Sequence, residues 1–140
     1  MKYYIDSNIF IYAVTEEENS EVCREVLKRL EEGDFRAATS VLTLDEVAWI
    51  VKKERNSERA VDAGKRLLRM PNLQIVSTEA ETGARSLQVM EETGIDPRDS
   101  LHLATAQNHG IYTIVTEDSD MRKSEEVEAI TAEELLERIK

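Results

Sequence analysis

Residue types that announce a chemistry by themselves are scarce in this 140-residue chain. Cys23 is the single cysteine, which excludes an internal disulfide and a zinc site built from cysteines. The two histidines, His102 and His109, do not stand at a metal-binding spacing such as H-x-x-x-H. Apolar runs stop far short of a membrane span, and no basic-then-apolar signal segment opens the chain, so a cytoplasmic protein without membrane contact is expected. Aromatic residues make up only 5% of the chain, and no stacking platform for bases is legible. Repeats, low-complexity tracts and linkers are lacking too.

What is present suits a globular protein. Hydrophobic residues account for 41% and charged residues for 34%, which argues against disorder. The length fits one domain, residues 1–140, able to bury its own core. The formal net charge of -11 disfavours indiscriminate binding to nucleic acid, whose phosphates are normally met by Lys and Arg. It leaves open an enzyme whose carboxylates hold metal ions while local cations grip a phosphate.

Strand and helix signals alternate. Lys2 to Ile5 reads as a buried strand ending at Asp6, with Ser7 and Asn8 as caps of an apolar helix. Asn19-Ser20 opens a helix to about Glu32. Phe35 to Thr39 is a second strand, and Ser40 or Thr43 starts the next helix. Asn56-Ser57 caps a helix to about Met70. Leu73 to Val76 is a third strand, and Thr78-Glu-Ala-Glu81 forms a capping box for a helix that Gly94 ends. Asp96-Pro97 begins another helix. Ile111 to Val115 is a fourth strand, Val127 to Ile130 a short edge strand, and Thr131 to Lys140 a terminal helix. Strands separated by helices predict a parallel, three-layer α/β/α sandwich.

Asp6, Glu46, Asp99 and Asp118 fall where a strand ends or the following helix begins. In a parallel sheet these positions share one edge, where α/β proteins place their sites. Each acid has an ordinary reading as well. Thr43-x-x-Glu46 and Asp96-x-x-Asp99 have the form of capping boxes, and Asp118 suits a turn. Together they form a cluster whose mutual repulsion calls for a cation. Oxygen donors suit Mg²⁺ or Mn²⁺ rather than zinc. Two such ions ~3.5–4 Å apart would clamp a phosphodiester for in-line attack, and helix N-termini would help hold the phosphate.

The stretches Ile5-Asp-Ser-Asn-Ile-Phe10, Thr39-Ser-Val-Leu-Thr-Leu-Asp-Glu-Val47, Asp96-Pro-Arg-Asp-Ser-Leu-His-Leu-Ala-Thr-Ala106 and Ile114-Val-Thr-Glu-Asp-Ser-Asp120 resemble the four motifs of PIN domains. Their order, spacing and the chain length are similar to the VapC-type toxin ribonucleases. The resemblance implies a parallel, five-stranded sheet with helices on both faces and a site for one or two Mg²⁺ or Mn²⁺ ions. It also implies RNA as substrate, a homodimer, and a small antitoxin partner that covers the site. Asp6, Glu46, Asp99 and Asp118 match the family's acids. Thr116 matches its hydroxyl residue, Ser7 and Asn8 its small polar pair, and Asp120 an extra, peripheral acid. Asp45 is turned ~100° from Glu46 on a helix, and Asp96 reads as a cap. His102 reads as a packing or surface histidine.

Cations are densest at Lys52, Lys53, Arg55, Arg59, Lys65, Arg66 and Arg69, where solvated faces with i,i+4 acid partners are expected. Arg98 and Arg122, beside the acidic motifs, are the better phosphate contacts. Leu42, Trp49 and Ile50 make a partner-facing patch, since the side opposite the core should be polar; a helix buried on both sides would explain them equally. A receiver domain would need an early acid pair and a later lysine, and a haloacid-dehalogenase-type phosphatase would need Asp-x-Asp; neither pattern is present. The remaining alternative is a non-catalytic PIN-like module that binds RNA or protein.

Overall fold

The computed structural model describes residues 3–140. The expected strand residue Lys2 lies outside them. Strand β1 (Tyr3–Ile5) leads into helix α1 (Ser7–Val14) and α2 (Ser20–Glu31). Then come β2 (Ala37–Ser40), α3 (Val41–Glu54), α4 (Ser57–Leu68) and β3 (Leu73–Val76). The chain continues through α5 (Ala80–Thr93), α6 (Pro97–Asn108), β4 (Thr113–Val115), a 3-10 turn (Ser119–Lys123), β5 (Glu128–Ile130) and α7 (Ala132–Arg138). Among the described residues, no helix is long and apolar enough to cross a membrane.

The five strands form one sheet in the order β3-β2-β1-β4-β5, and every pairing is parallel. The expected five-stranded α/β/α sandwich is therefore present. Alternation along β1 assigns its two faces. Tyr3 and Ile5 join Ile9, Val26, Leu30, Val47 and Leu135 in one core, while Tyr4 joins Val89, Leu103 and Ile114 in the other. Thus α1–α4 and α7 cover one side, and α5 with α6 the other.

Several boundaries differ from the sequence reading: Asp6 rather than Ser7 or Asn8 caps α1, and β4 begins at Thr113 rather than Ile111. Phe35 stands outside β2, because the parallel register starts at Ala37 opposite Tyr3 and Leu73. Its ring instead packs edge-on against Tyr3, with centroids 5.9 Å apart. The capping box of α5 is Glu79 with Thr82, one residue later than expected. Gly94 ends α5 in the left-handed region at φ 73°, as its place in the sequence suggested.

The strand order has its reversal between β1 and β4: the chain leaves β1 towards β2 and β3, and β4 leads outward to β5. Loops diverge at such a switch point and leave a crevice beyond the carboxyl ends of the strands. Asp6 directly follows β1 and Asp118 lies just beyond β4, on this crevice.

Candidate active site

Asp6 sits at the centre of the strand edge with only 2% of its surface exposed. As the N-cap of α1 it accepts a hydrogen bond from the Ser7 N–H at 2.7 Å. Its other carboxylate oxygen accepts from Thr116 Oγ1 at 2.7 Å and from Asn8 Nδ2 at 3.3 Å. Thr116 Oγ1 accepts in turn from the Asp118 N–H at 3.0 Å, which links the ends of β1 and β4. Ser7 Oγ donates to Glu46 Oε2 at 2.8 Å and lies 3.4 Å from Asp6 Oδ1. The three small polar residues singled out in the sequence, Ser7, Asn8 and Thr116, therefore bridge or brace the acids.

Glu46 does not reach back to Thr43 as a capping box would. Helix α3 is capped by Ser40, whose hydroxyl accepts from the Leu42 N–H at 3.3 Å. The Glu46 carboxylate is left to turn inward, where Oε1 meets His102 Nε2 at 2.7 Å. His102 is completely buried, and its Nε2 is also 3.7 Å from Asp6 Oδ1. On the other side of the ring, Nδ1 is 2.6 Å from the Tyr4 hydroxyl, which donates its proton to Ser40 Oγ at 2.8 Å. The sequence reading missed this chain of contacts. The available signal was the spacing Asp99-x-x-His102, which sets the histidine one helical turn past an acid on the same face.

Electrostatics follow the packing. Burial raises the Asp6 pKa, only partly offset by His102 and the Thr116 hydroxyl. Burial also pushes Glu46 upward, but the His102 hydrogen bond and charge, with Ser7, outweigh it and leave the carboxyl below its ordinary value. Burial lowers the His102 pKa, yet Glu46, Asp6 and Asp99 around it turn the net shift upward. Asp99 lies half-buried in the first turn of α6. Burial, its hydrogen bond with Asp118 and the nearby Asp6 charge push its carboxyl up to about 7. Asp96 caps α6 without a side-chain hydrogen bond. Asp118 accepts from the Asp120 N–H at 2.9 Å, while the exposed Asp120 carboxylate pairs with Lys123 at 3.6 Å.

The structure thus gathers Asp6, Glu46, Asp99 and Asp118 through direct contacts or one intervening side chain, and leaves Asp120 at the periphery. Arg98 is exposed and close enough for its charge to be felt by Glu46. Arg122 is held by Glu134 at 2.6 Å, which makes it the less available phosphate contact. Leu42 and Ile50 are half-buried, whereas Trp49 is 60% exposed.

Among the described residues, no group of three or more His, Cys, Asp or Glu side chains is already drawn into metal-holding geometry. The oxygens of Asp6 and Glu46 are turned to Ser7, Thr116 and His102 instead, and Asp118 accepts from the Asp120 N–H. In chemistry the donor set nevertheless fits a hard cation. It offers carboxylate oxygens from four chain segments, and Asp99, raised first by burial, also stands beside the Asp118 and Asp6 carboxyls, whose charge a divalent ion would neutralise.

A family model described as PIN domain matches residues 3–127. Solved structures with the same fold include VapBC2 from Rickettsia felis bound to a DNA fragment from its promoter. That chain has a TM-score of 0.70 and 20% identity, with 94% of this chain and 98% of that one covered. The sarcin–ricin-loop-cleaving toxin VapC20 of Mycobacterium tuberculosis has a TM-score of 0.73 and 15% identity, with 91% and 98% covered. PAE2754 from Pyrobaculum aerophilum has a TM-score of 0.70 and 18% identity, with 99% and 95% covered. No curated protein matches the chain.

Proposed function

Because the chain belongs to the PIN-domain family, we propose that it is a Mg²⁺- or Mn²⁺-dependent endoribonuclease and the toxin of a toxin–antitoxin pair. The carrying observation is that acids from four separate segments meet at the switch point of the sheet, with Asp6 buried at their centre. The likeness to a sarcin–ricin-loop-cleaving toxin and to a toxin–antitoxin complex from Klebsiella pneumoniae supports RNA as substrate and an antitoxin as partner. A homodimer accords with the resemblance in the sequence motifs.

Asp6, Asp99 and Asp118 would hold one or two ions, with Glu46 completing the site. When bound, such an ion polarises the phosphodiester and makes an attacking water more acidic. The residues of the chain do the positioning. Thr116 and the Ser7 N–H fix the two oxygens of Asp6, and Ser7 with His102 fixes those of Glu46. Glu46, so held, orients the attacking water at the edge of the site. Arg98 is placed to meet a phosphate. An apolar groove of about 410 Å³ between α1, α2, α3 and α4, lined by Phe10, Leu27, Val47 and Met70 with Arg24, Lys28, Arg66 and Glu31 around them, suits an apolar segment of an antitoxin.

The second reading, a non-catalytic binding module, draws on the lack of a preformed metal cage among the described residues. Thermal melting separates the two. Mg²⁺ or Mn²⁺ at a hundred times its dissociation constant should stabilise the wild type by about 2.7 kcal/mol, and Asp6→Asn should lose that response. A wild type indifferent to both ions favours the binding module.

A further inference from the structure

The catalytic edge and the free positive charge of this molecule meet on one helix. Glu46, Trp49 and Lys53 on α3 follow the i, i+3, i+7 pattern of a shared face. Trp49, the only tryptophan, is 60% exposed, and Lys53 Nζ stands 5.0 Å from the centre of its ring. Lys53 lies about 10 Å along the axis from Glu46.

The cations of the chain are unevenly matched. Apart from Arg36 and Arg98, every described Lys and Arg outside the α3–α4 hairpin makes an ion pair with an acid. The Lys and Arg residues from Lys52 to Arg69 make none among the described residues, although Glu54, Glu58 and Asp62 share their helices. The expectation of i,i+4 acid partners fails there. In a chain of net charge -11, unmatched positive charge is concentrated where α3 runs away from the acids.

We propose that this face of α3 and the adjoining hairpin form a track for single-stranded RNA. Trp49 stacks a base next to the scissile phosphate, and Lys53, Lys52, Arg55 and Arg59 receive the following phosphates. Aromatic stacking on a cationic groove is the general means of holding a single strand without reading its sequence. Arg98 marks the opposite end of the track, across the acids. A protein partner fits less well, because Leu42 and Ile50 beside the indole are half-buried and what remains open is one ring among cations. The proposal rests on the ribonuclease reading and adds the path of the substrate to it.

The test is fluorescence titration with a 12-nucleotide single-stranded RNA of mixed sequence, in EDTA so that nothing is cut. Wild-type indole emission should change at saturation, and it reports Trp49 alone. Trp49→Ala should weaken binding, followed by anisotropy of labelled RNA, roughly 5- to 150-fold, with Trp49→Phe in between. The combined Lys52→Gln, Lys53→Gln, Arg55→Gln variant should lower the slope of log affinity against log salt by about 2. Circular dichroism confirms that each variant is folded. Wild-type affinity and slope in these variants overturn the track, as does unchanged indole emission at saturation. A Trp49→Ala variant that changes only its assembly state would reassign the face to contact between copies, and likewise overturns it. RNA cleavage by wild type with Mn²⁺ is scored separately: binding with quenching but no cleavage removes the nuclease reading and leaves the track, and cleavage with unaltered variant binding does the reverse.

Discussion

His102 and Asp99 show what single residues contribute to this site and how far their identity could be read beforehand. The positions of the four acids were legible because strand ends and helix starts are marked by residue type, whereas Ser7, Asn8 and Thr116 beside them were marked by the resemblance to PIN-domain motifs. The role of His102 was not legible: its spacing from Asp99 set it on the acid's face, but an apolar helical run does not tell a buried ring with polar partners from an ordinary packing residue. His102→Leu would leave Glu46 Oε1 and the Tyr4 hydroxyl short of a partner in the interior. It should cost about 1–3 kcal/mol in urea melts, and His102→Gln should recover part of that by donating an amide N–H to Glu46. Asp99 has the opposite character. The folded protein holds its proton more tightly than the unfolded chain does, up to about pH 7. Its contribution to stability is therefore complete below the ordinary carboxyl pKa and is lost as pH rises towards 7. At pH 7.5 without metal, Asp99→Asn should raise Tm by roughly 2–4 °C, a gain already discounted for a half-exposed group. The gain should vanish below about pH 4, and calorimetry across this range checks it.

Elements were more legible than contacts. All five strands, and the helices between them, arise where hydrophobic period and cap residues agree, and β3 has the bounds its apolar run suggested. The misplacements occur where two local signals compete. Phe35 has strand propensity, but the register with β1 and β3 begins two residues later. Ser40 and Thr43 both read as starts of α3, and the structure uses Ser40, three residues earlier, which leaves Glu46 free to turn into the site. The interplay matters for function: a helix begun at Thr43 would spend Glu46 on its own backbone. Caps away from the edge should affect stability alone. Asn56 accepts from the Arg59 N–H at 2.8 Å at the start of α4, and Asn56→Ala should lower stability by about 1 kcal/mol with unchanged RNA cleavage, as paired melting and cleavage assays would show.

At the scale of the whole molecule, the topology explains why acids far apart in sequence lie together. A parallel sheet with its order reversing between β1 and β4 opens one crevice, and Asp6 and Asp118 stand on its two sides. Sequence motifs could name the fold through resemblance, but the topology shows why Asp6 lies at the centre: its strand is the middle one of five. The same scale reconciles a net charge of -11 with the proposed RNA substrate, since the acids gather at the crevice and unmatched cations gather on the α3–α4 hairpin. The most direct test of the ribonuclease reading is cleavage of a defined RNA by wild type and Asp6→Asn, each with Mg²⁺ or Mn²⁺ and each with EDTA. The account expects cutting by wild type only with metal, and loss of at least 100-fold, or about 2.7 kcal/mol of barrier, in a variant that melts nearly as wild type does. Equal cutting by Asp6→Asn, or undiminished cutting in EDTA, would contradict it.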